Sequence, residues 1–268
     1  MMKYKFGFIG CGNMGGALCT AVAKKESDAA ICVCDGVKEK TDALCARFSN
    51  LTAVSLTELI AESEYVFLGV KPQSLPGLFD SIKKDLANRR DIVFITMAAG
   101  KSIADIEALC GFEPAIIRIM PNTPVSVGKG VILFDRNAKV GEKELADFRS
   151  ALSDAGVLCP IPEAKIDAAG AVSGCGPAFV YMFIEALADG AVLCGIPRSD
   201  ALLYAAATIE GAARLAIESG EHPEKLKDNV CSPGGTTIAG VKALEDAGFR
   251  AAAINAVEAA YEKTLKLK

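Results

Sequence analysis

The sequence predicts an α/β chain, a doubly wound parallel sheet in the first half followed by an all-α domain in the second. Three observations carry this. Short runs rich in Val, Ile and Phe alternate with helical patterns up to Glu163; a glycine-rich turn closes the first run; and beyond Glu163 the chain turns Ala-rich and helical throughout. The expected domains are therefore 1–163 and 164–268, with no low-complexity linker and no internal repeat.

Residues 4–10 read as a strand, 13–25 as a helix and 30–35 as a second strand. Apolar runs at 65–70, 92–96 and 115–119 supply further strands, separated by helical patterns at 37–48, 73–86 and 102–110. Such alternation means a parallel sheet covered on both faces. Residues 131–134 and 157–160, with a helix at 142–155 between them, read as the last strands. Helices are then expected at 164–172, 177–194, 199–219, 233–247 and 250–266, punctuated by Gly195-Ile196-Pro197, by Gly220 to Pro223 and by Ser232-Pro233-Gly234. The helix at 177–194 carries Phe179, Val180, Met182, Phe183, Ile184 and Leu187 around most of its circumference. A helix apolar all round is buried, and a small helical domain cannot enclose it alone, so a second subunit is expected to cover it.

Composition narrows the functional classes. With 51% hydrophobic residues, few aromatics and no Trp, the core must be built from Ala, Val, Leu and Ile. A net charge of −4 with no basic stripe argues against nucleic acid as a partner. Lys3 and Lys5 before an apolar run imitate a signal peptide, but Gly7, Gly10, Gly12, Asn13, Gly15 and Gly16 break that run. The apolar stretch 178–184 stops at Glu185, short of a membrane span, so no membrane partner is expected. Ten scattered cysteines without a C-x-x-C pair, and the single His222, give neither a disulfide framework nor a metal site. The cysteines read as small buried hydrophobes in a reducing cytoplasm, and His222-Pro223 as a helix start.

Gly10-Cys11-Gly12-Asn13-Met14-Gly15 ends the first strand and opens the first helix, the context in which G-x-G-x-x-G binds a dinucleotide. Gly10 makes the tight turn, Gly12 lets the backbone approach the pyrophosphate, and Gly15 allows close helix–strand packing. This is the Rossmann pattern. Asp35 closes the second strand, where a carboxylate accepts from a ribose 2′-hydroxyl and repels a 2′-phosphate, a preference for NAD over NADP; the alternative is that it only caps the helix after Val37. Val70-Lys71-Pro72-Gln73 and Met97-Ala98-Ala99-Gly100 follow later strands and are expected to line the cofactor crevice. In Met120-Pro121-Asn122-Thr123-Pro124 two prolines fix an extended path presenting Asn122 and Thr123.

A second glycine-rich segment runs Asp228-Asn229-Val230-Cys231-Ser232-Pro233-Gly234-Gly235-Thr236-Thr237. Pro233 followed by Gly234 and Gly235 forces a turn into a helix, and amides converging there suit a carboxylate. The plainer alternative is a helix start with Thr236 or Thr237 as its cap.

Together with Arg118 to Pro124 and Ser173-Gly174-Cys175-Gly176-Pro177-Ala178, these motifs resemble the pyrroline-5-carboxylate reductases in order and spacing along the whole chain. The resemblance implies hydride transfer from NADPH or NADH to C5 of 1-pyrroline-5-carboxylate, a cyclic imino acid, giving L-proline in the final step of proline synthesis. It implies a homodimer through the helical domain, in many members assembled further into decamers. Carried over, Gly234, Gly235, Thr236 and Thr237 hold the carboxylate and ring nitrogen, with Val230 and Ser232 alongside; Lys71, Pro72, Ala98 and Asn122 face the cofactor. Cys175 departs from the usual Ser, and Asp35 stands where Arg, Ser or Asn is common, which puts NADPH preference in doubt.

The chemistry is coherent on its own terms. A protonated cyclic imine accepts hydride readily, so the protein must orient it and exclude water rather than supply a nucleophile or a metal. Thr237 is the candidate catalytic residue, through a hydrogen bond to the ring nitrogen. A β-hydroxyacid reductase would want a Lys on the helix after residue 173, and none is there. A non-catalytic nucleotide-binding protein would bind NADH without turnover.

Overall fold

The computed structural model describes residues 2–87 and 89–266, which form two compact units. The first extends to Cys175 and includes the end of the last helix from Ala260; the second is Gly176–Ala259.

The first unit is built on β1 (Tyr4–Ile9), β2 (Ile31–Cys34), β3 (Leu51–Ala53), β4 (Ser63–Leu68), β5 (Val93–Thr96), β6 (Ala115–Met120), β7 (Gly130–Arg136) and β8 (Gly156–Pro160). The strands lie in the order β3-β2-β1-β4-β5-β6-β7-β8. Helices α1 (Asn13–Lys25), α2 (Lys38–Cys45), α3 (Leu56–Glu62), α4 (Leu75–Leu86), α5 (Ile103–Cys110), α6 (Glu142–Leu152) and α7 (Glu163–Ser173) connect or follow them. Alternating strand residues feed two cores. Phe6, Phe8 and Phe67 pack with Leu18 and Val22 of α1 and Phe148 of α6, whereas Ile9, Val66 and Leu68 join Leu59, Phe79 and Ile106 from α3, α4 and α5. The strand order reverses between β1 and β4, and such a reversal opens a crevice at the carboxyl ends of those strands.

The sheet departs from the expected one in three places. β3 and α3 are additional elements; α3 is capped by Ser55, whose side chain accepts from the Glu58 amide. The expected helix 73–86 begins as a 3-10 turn, Pro72–Ser74, before α4. β7 runs antiparallel to β6, while every other pair is parallel. The connection 121–129 holds only a 3-10 turn, Thr123–Val127, too short for the crossover of about a dozen residues that a parallel return needs.

The second unit comprises α8 (Gly176–Leu193), α9 (Arg198–Ser219), α10 (Pro223–Val230), α11 (Thr236–Asp246) and most of α12 (Phe249–Leu265). His222 starts α10 as expected, its Nδ1 accepting from the Glu224 amide. α8 and α9 meet through Ala188, Ala201 and Ala205, small residues that let the backbones approach. The expectation that α8 is buried all round fails in the single chain: Ala188 is its one buried residue among those described, and Tyr181, Met182 and Leu193 are exposed. The stretch Glu163–Leu193 is long and apolar enough by length and composition to cross a membrane, which reading 178–184 alone did not suggest. The cysteines are likewise less buried than expected; all ten are free thiols, Cys11, Cys19 and Cys32 are buried, and Cys194 is exposed.

Candidate active site

The glycine-rich loop sits between β1 and α1. Gly10 adopts φ +91°, and a Cβ there would lie 2.8 Å from the Gly69 backbone. A Cβ on Gly15 would strike the Gly10 carbonyl, so these two glycines are required by the fold itself. Gly12 is different. It has ordinary extended torsions and a Cβ there would meet no protein atom within 4 Å. Nothing in the chain demands glycine at that point; the open space fits a pyrophosphate brought against the N-terminus of α1. Asn13, Met14 and Gly15 form the first turn of that helix.

Beside the loop lies a cavity of about 480 Å³ lined by Gly10, Gly12, Asp35, Val70 and Lys71, uniting five of the residues expected to bind a cofactor. Gly36, Lys40, Leu56, Gly69, Ser74 and Leu78 are also in its wall. Of these, Leu56 belongs to α3, whose Ser55-x-x-Glu58 start is the sequence signal for it. Pro72 opens the 3-10 turn that carries Ser74 to the cavity. Asp35 is not the cap of α2, which is Val37 without a side-chain capping bond. Its Oδ1 accepts from the Val37 amide at 2.8 Å and its Oδ2 from the Cys11 amide at 2.6 Å, joining the end of β2 to the loop. Burial, reinforced by the Asp35 charge, pushes the Cys11 thiol up to about 12, so it remains protonated at neutral pH.

Met97, Ala98, Ala99 and Asn122 lie outside the lining of this cavity. The first three follow β5, where Ala98 is buried and its carbonyl accepts from the Lys101 amide. Asn122 follows β6 and is 7% exposed. Its Oδ1 accepts from Val131 N at 2.8 Å and its Nδ2 donates to Ser173 O at 2.8 Å, tying β7 and the end of α7 together. The base of α7 is held by Arg118, which donates to Asp167 at 2.6 Å and Glu163 at 3.1 Å. Glu163 also accepts from the Ile103 amide.

In the second unit, Gly235 N donates to Ser232 O at 3.0 Å across Pro233 and Gly234, with Gly234 at φ +69°. Pro at the second and positive-φ Gly at the third position is the pattern of a type II turn. α11 then starts at Thr236 rather than 233, and its cap is Gly235, without a side-chain capping bond. Of the plainer alternative the helix start holds, but Thr236 and Thr237 are first-turn residues, not its cap. The turn leaves the leading amides of α11 without a side-chain acceptor, and Val230, Ser232, Thr236 and Thr237 are exposed in the single chain.

Comparison with known proteins extends these observations. A family model described as "Pyrroline-5-carboxylate reductase dimerisation" matches residues 163–267, and one described as "NADP oxidoreductase coenzyme F420-dependent" matches residues 5–100. The chain is 40% identical to the pyrroline-5-carboxylate reductase of Escherichia coli K12 over 99% of both chains. It belongs to the pyrroline-5-carboxylate reductase family. A crystal structure of pyrroline carboxylate reductase from Plasmodium falciparum with NADP bound is 32% identical, covers 98% of both chains and superposes with a TM-score of 0.86. One of a pyrroline-5-carboxylate reductase from Coxiella burnetii is 29% identical, covers 99% of both and gives 0.89. The chain is accordingly a pyrroline-5-carboxylate reductase, an oxidoreductase that acts on a C=N bond with NAD(P)H. Its second half carries the dimerisation region, which contains the exposed apolar residues of α8.

Proposed function

We propose that this reductase holds its imino acid at the Ser232–Thr237 turn and its dinucleotide at the carboxyl ends of β1, β2 and β4. Residues 1–163 act as the dinucleotide-binding domain and 164–268 as the substrate-binding and dimerisation domain. When bound, NAD(P)H supplies the hydride that adds to C5 of 1-pyrroline-5-carboxylate. Gly10 through Gly15 hold the pyrophosphate with loop amides and the first turn of α1; Asp35 takes the ribose; Val70, Lys71 and Pro72 support the dinucleotide beside them. Ala98, Ala99 and Gly100 form a small-residue floor with Met97 beside it, and Asn122 keeps one Nδ2 hydrogen for the cofactor.

The amides of Thr236 and Thr237 hold the carboxylate; Gly235, its own amide closing the turn on the Ser232 carbonyl, lets the backbone come close, with Gly234 shaping the turn and Val230 and Ser232 flanking it. Binding an anion with amides keeps Lys and Arg away from an iminium that they would repel. The Thr237 hydroxyl accepts from the ring N–H, favouring the protonated imine that takes hydride. The observation that carries this reading is the start of α11 without a side-chain cap, directly after the turn. The test is Thr237→Val assayed by NAD(P)H oxidation with pyrroline-5-carboxylate. Losing one such bond costs about 1–3 kcal/mol, so kcat/KM is expected to fall roughly 10- to 100-fold. An unchanged value removes Thr237 from the reaction.

The exposed apolar faces of the second unit, together with the dimerisation model that matches residues 163–267, support a homodimer; assembly of such dimers into a decamer, without membrane contact, is part of the same proposal. Ten free thiols support a reducing, cytoplasmic setting.

A further inference from the structure

The dinucleotide cavity carries three charged residues in its wall, Asp35, Lys40 and Lys71, and the first two face each other. Lys40 Nζ lies 3.7 Å from Asp35 Oδ1, close enough to pair electrostatically but longer than a hydrogen bond. The Asp35 side chain is 10% exposed and the Lys40 side chain 46%. Two amides fix the carboxylate, Cys11 N from the glycine-rich loop and Val37 N from the turn into α2. The acid is thus bolted to the backbone, while the lysine reaches it from a freer position on α2.

We propose that Asp35 and Lys40 form the pair that selects between NADH and NADPH, with Asp35 favouring NADH and Lys40 limiting the margin. This rests on the dinucleotide reading of the cavity given above. A carboxylate oxygen has two lone pairs, so each Asp35 oxygen keeps acceptor capacity after taking its amide. At the end of β2 that capacity meets the ribose 2′-hydroxyl as a hydrogen-bond acceptor. A 2′-phosphate at the same place brings like charge against a carboxylate that cannot swing aside, because turning away would forfeit both amide bonds. Among the described residues Lys40 is the one charged group in contact with that carboxylate, and its ammonium can also meet a 2′-phosphate. It therefore softens the repulsion without reversing it, since a single lysine offers a point charge rather than the paired donors of an arginine fork.

Calorimetric titration with NAD⁺ and NADP⁺ tests the pair without turnover, and the ratio of the two Kd values cancels any loosening of the loop that affects both ligands. In the wild type NAD⁺ is expected to bind on the order of 10-fold tighter or more, from one close like-charge contact in a partly solvated site. Asp35→Asn, which keeps the shape and one amide acceptor, should bring that ratio towards unity, and Asp35→Ser should do the same. Lys40→Met should weaken NADP⁺ several-fold and leave NAD⁺ within about twofold, widening the ratio. The kcat/KM values for NADH and NADPH should move in parallel. Tighter NADP⁺ binding in the wild type, or a ratio unmoved by both Asp35 variants, overturns the proposal while leaving the dinucleotide site standing. If neither dinucleotide binds and neither supports reduction, the reading of the cavity falls and the proposal falls with it.

Discussion

Gly12 and Gly15 belong to one motif yet answer to different forces. A Cβ on Gly15 has no room against the Gly10 carbonyl, whereas one on Gly12 meets only open space. Gly15→Ala should therefore unfold or strongly destabilise the protein, by about 3 kcal/mol or more, since the obstruction is backbone and cannot rotate away. Gly12→Ala should melt within about 0.5 kcal/mol of the wild type but bind dinucleotide at least 10-fold more weakly. Thermal melts and titration with NADH separate the two; a Gly12 variant that binds normally would show that nothing approaches the loop there. The spacing of these glycines was readable in the sequence because the motif is local. The grip of Asp35 on the Cys11 amide was not, since it joins residues 24 apart that only the pairing of β1 with β2 brings together. Asn122 is similar: its prolines announced a rigid segment, but not that its amide would span to Val131 and Ser173.

Among the elements, those with long apolar periods or strong caps were legible, and α1 matches its expected span from Asn13 to Lys25. β3 was missed because it has three residues, Leu51 alone of them buried, and so no pattern to detect. α3 has seven residues and a capping serine that could have found it. The direction of β7 follows from the length of its connection, which becomes decisive only once its neighbour is known to be β6. α7 owes its position to Arg118, which is 3% exposed and sits against Asp167 and Glu163. Arg118→Leu would take the guanidinium from two carboxylates, one of them the buried Asp167, and should cost about 3–5 kcal/mol in urea denaturation. A variant of wild-type stability would mean that apolar packing alone seats this helix.

For the molecule as a whole, the second unit cannot be complete in one copy. Its buried apolar cluster consists of Ala188, Ala201 and Ala205, while Met182, Ile217 and Ile254 are each more than two-thirds exposed or nearly so, at 71%, 75% and 66%. Light scattering should find a dimer or a larger assembly, and Met182→Glu with Ile254→Glu should shift it towards monomer with loss of activity. A fully active, monodisperse monomer would contradict this. Chain direction has a further consequence. β7 and β8 run against the six other strands, yet Pro160 pairs with Phe134, which pairs with Ile119, so the chain leaves β8 still level with the carboxyl end of β6. α7 starts there, with Glu163 and Asp167 held on Arg118, and ends where the Ser173 carbonyl meets Asn122. Its 11 residues rise about 16 Å at 1.5 Å each. One residue more or fewer would shift its tip by about 1.5 Å and rotate it by about 100°, so length, rather than any single side chain, decides where the chain leaves the sheet.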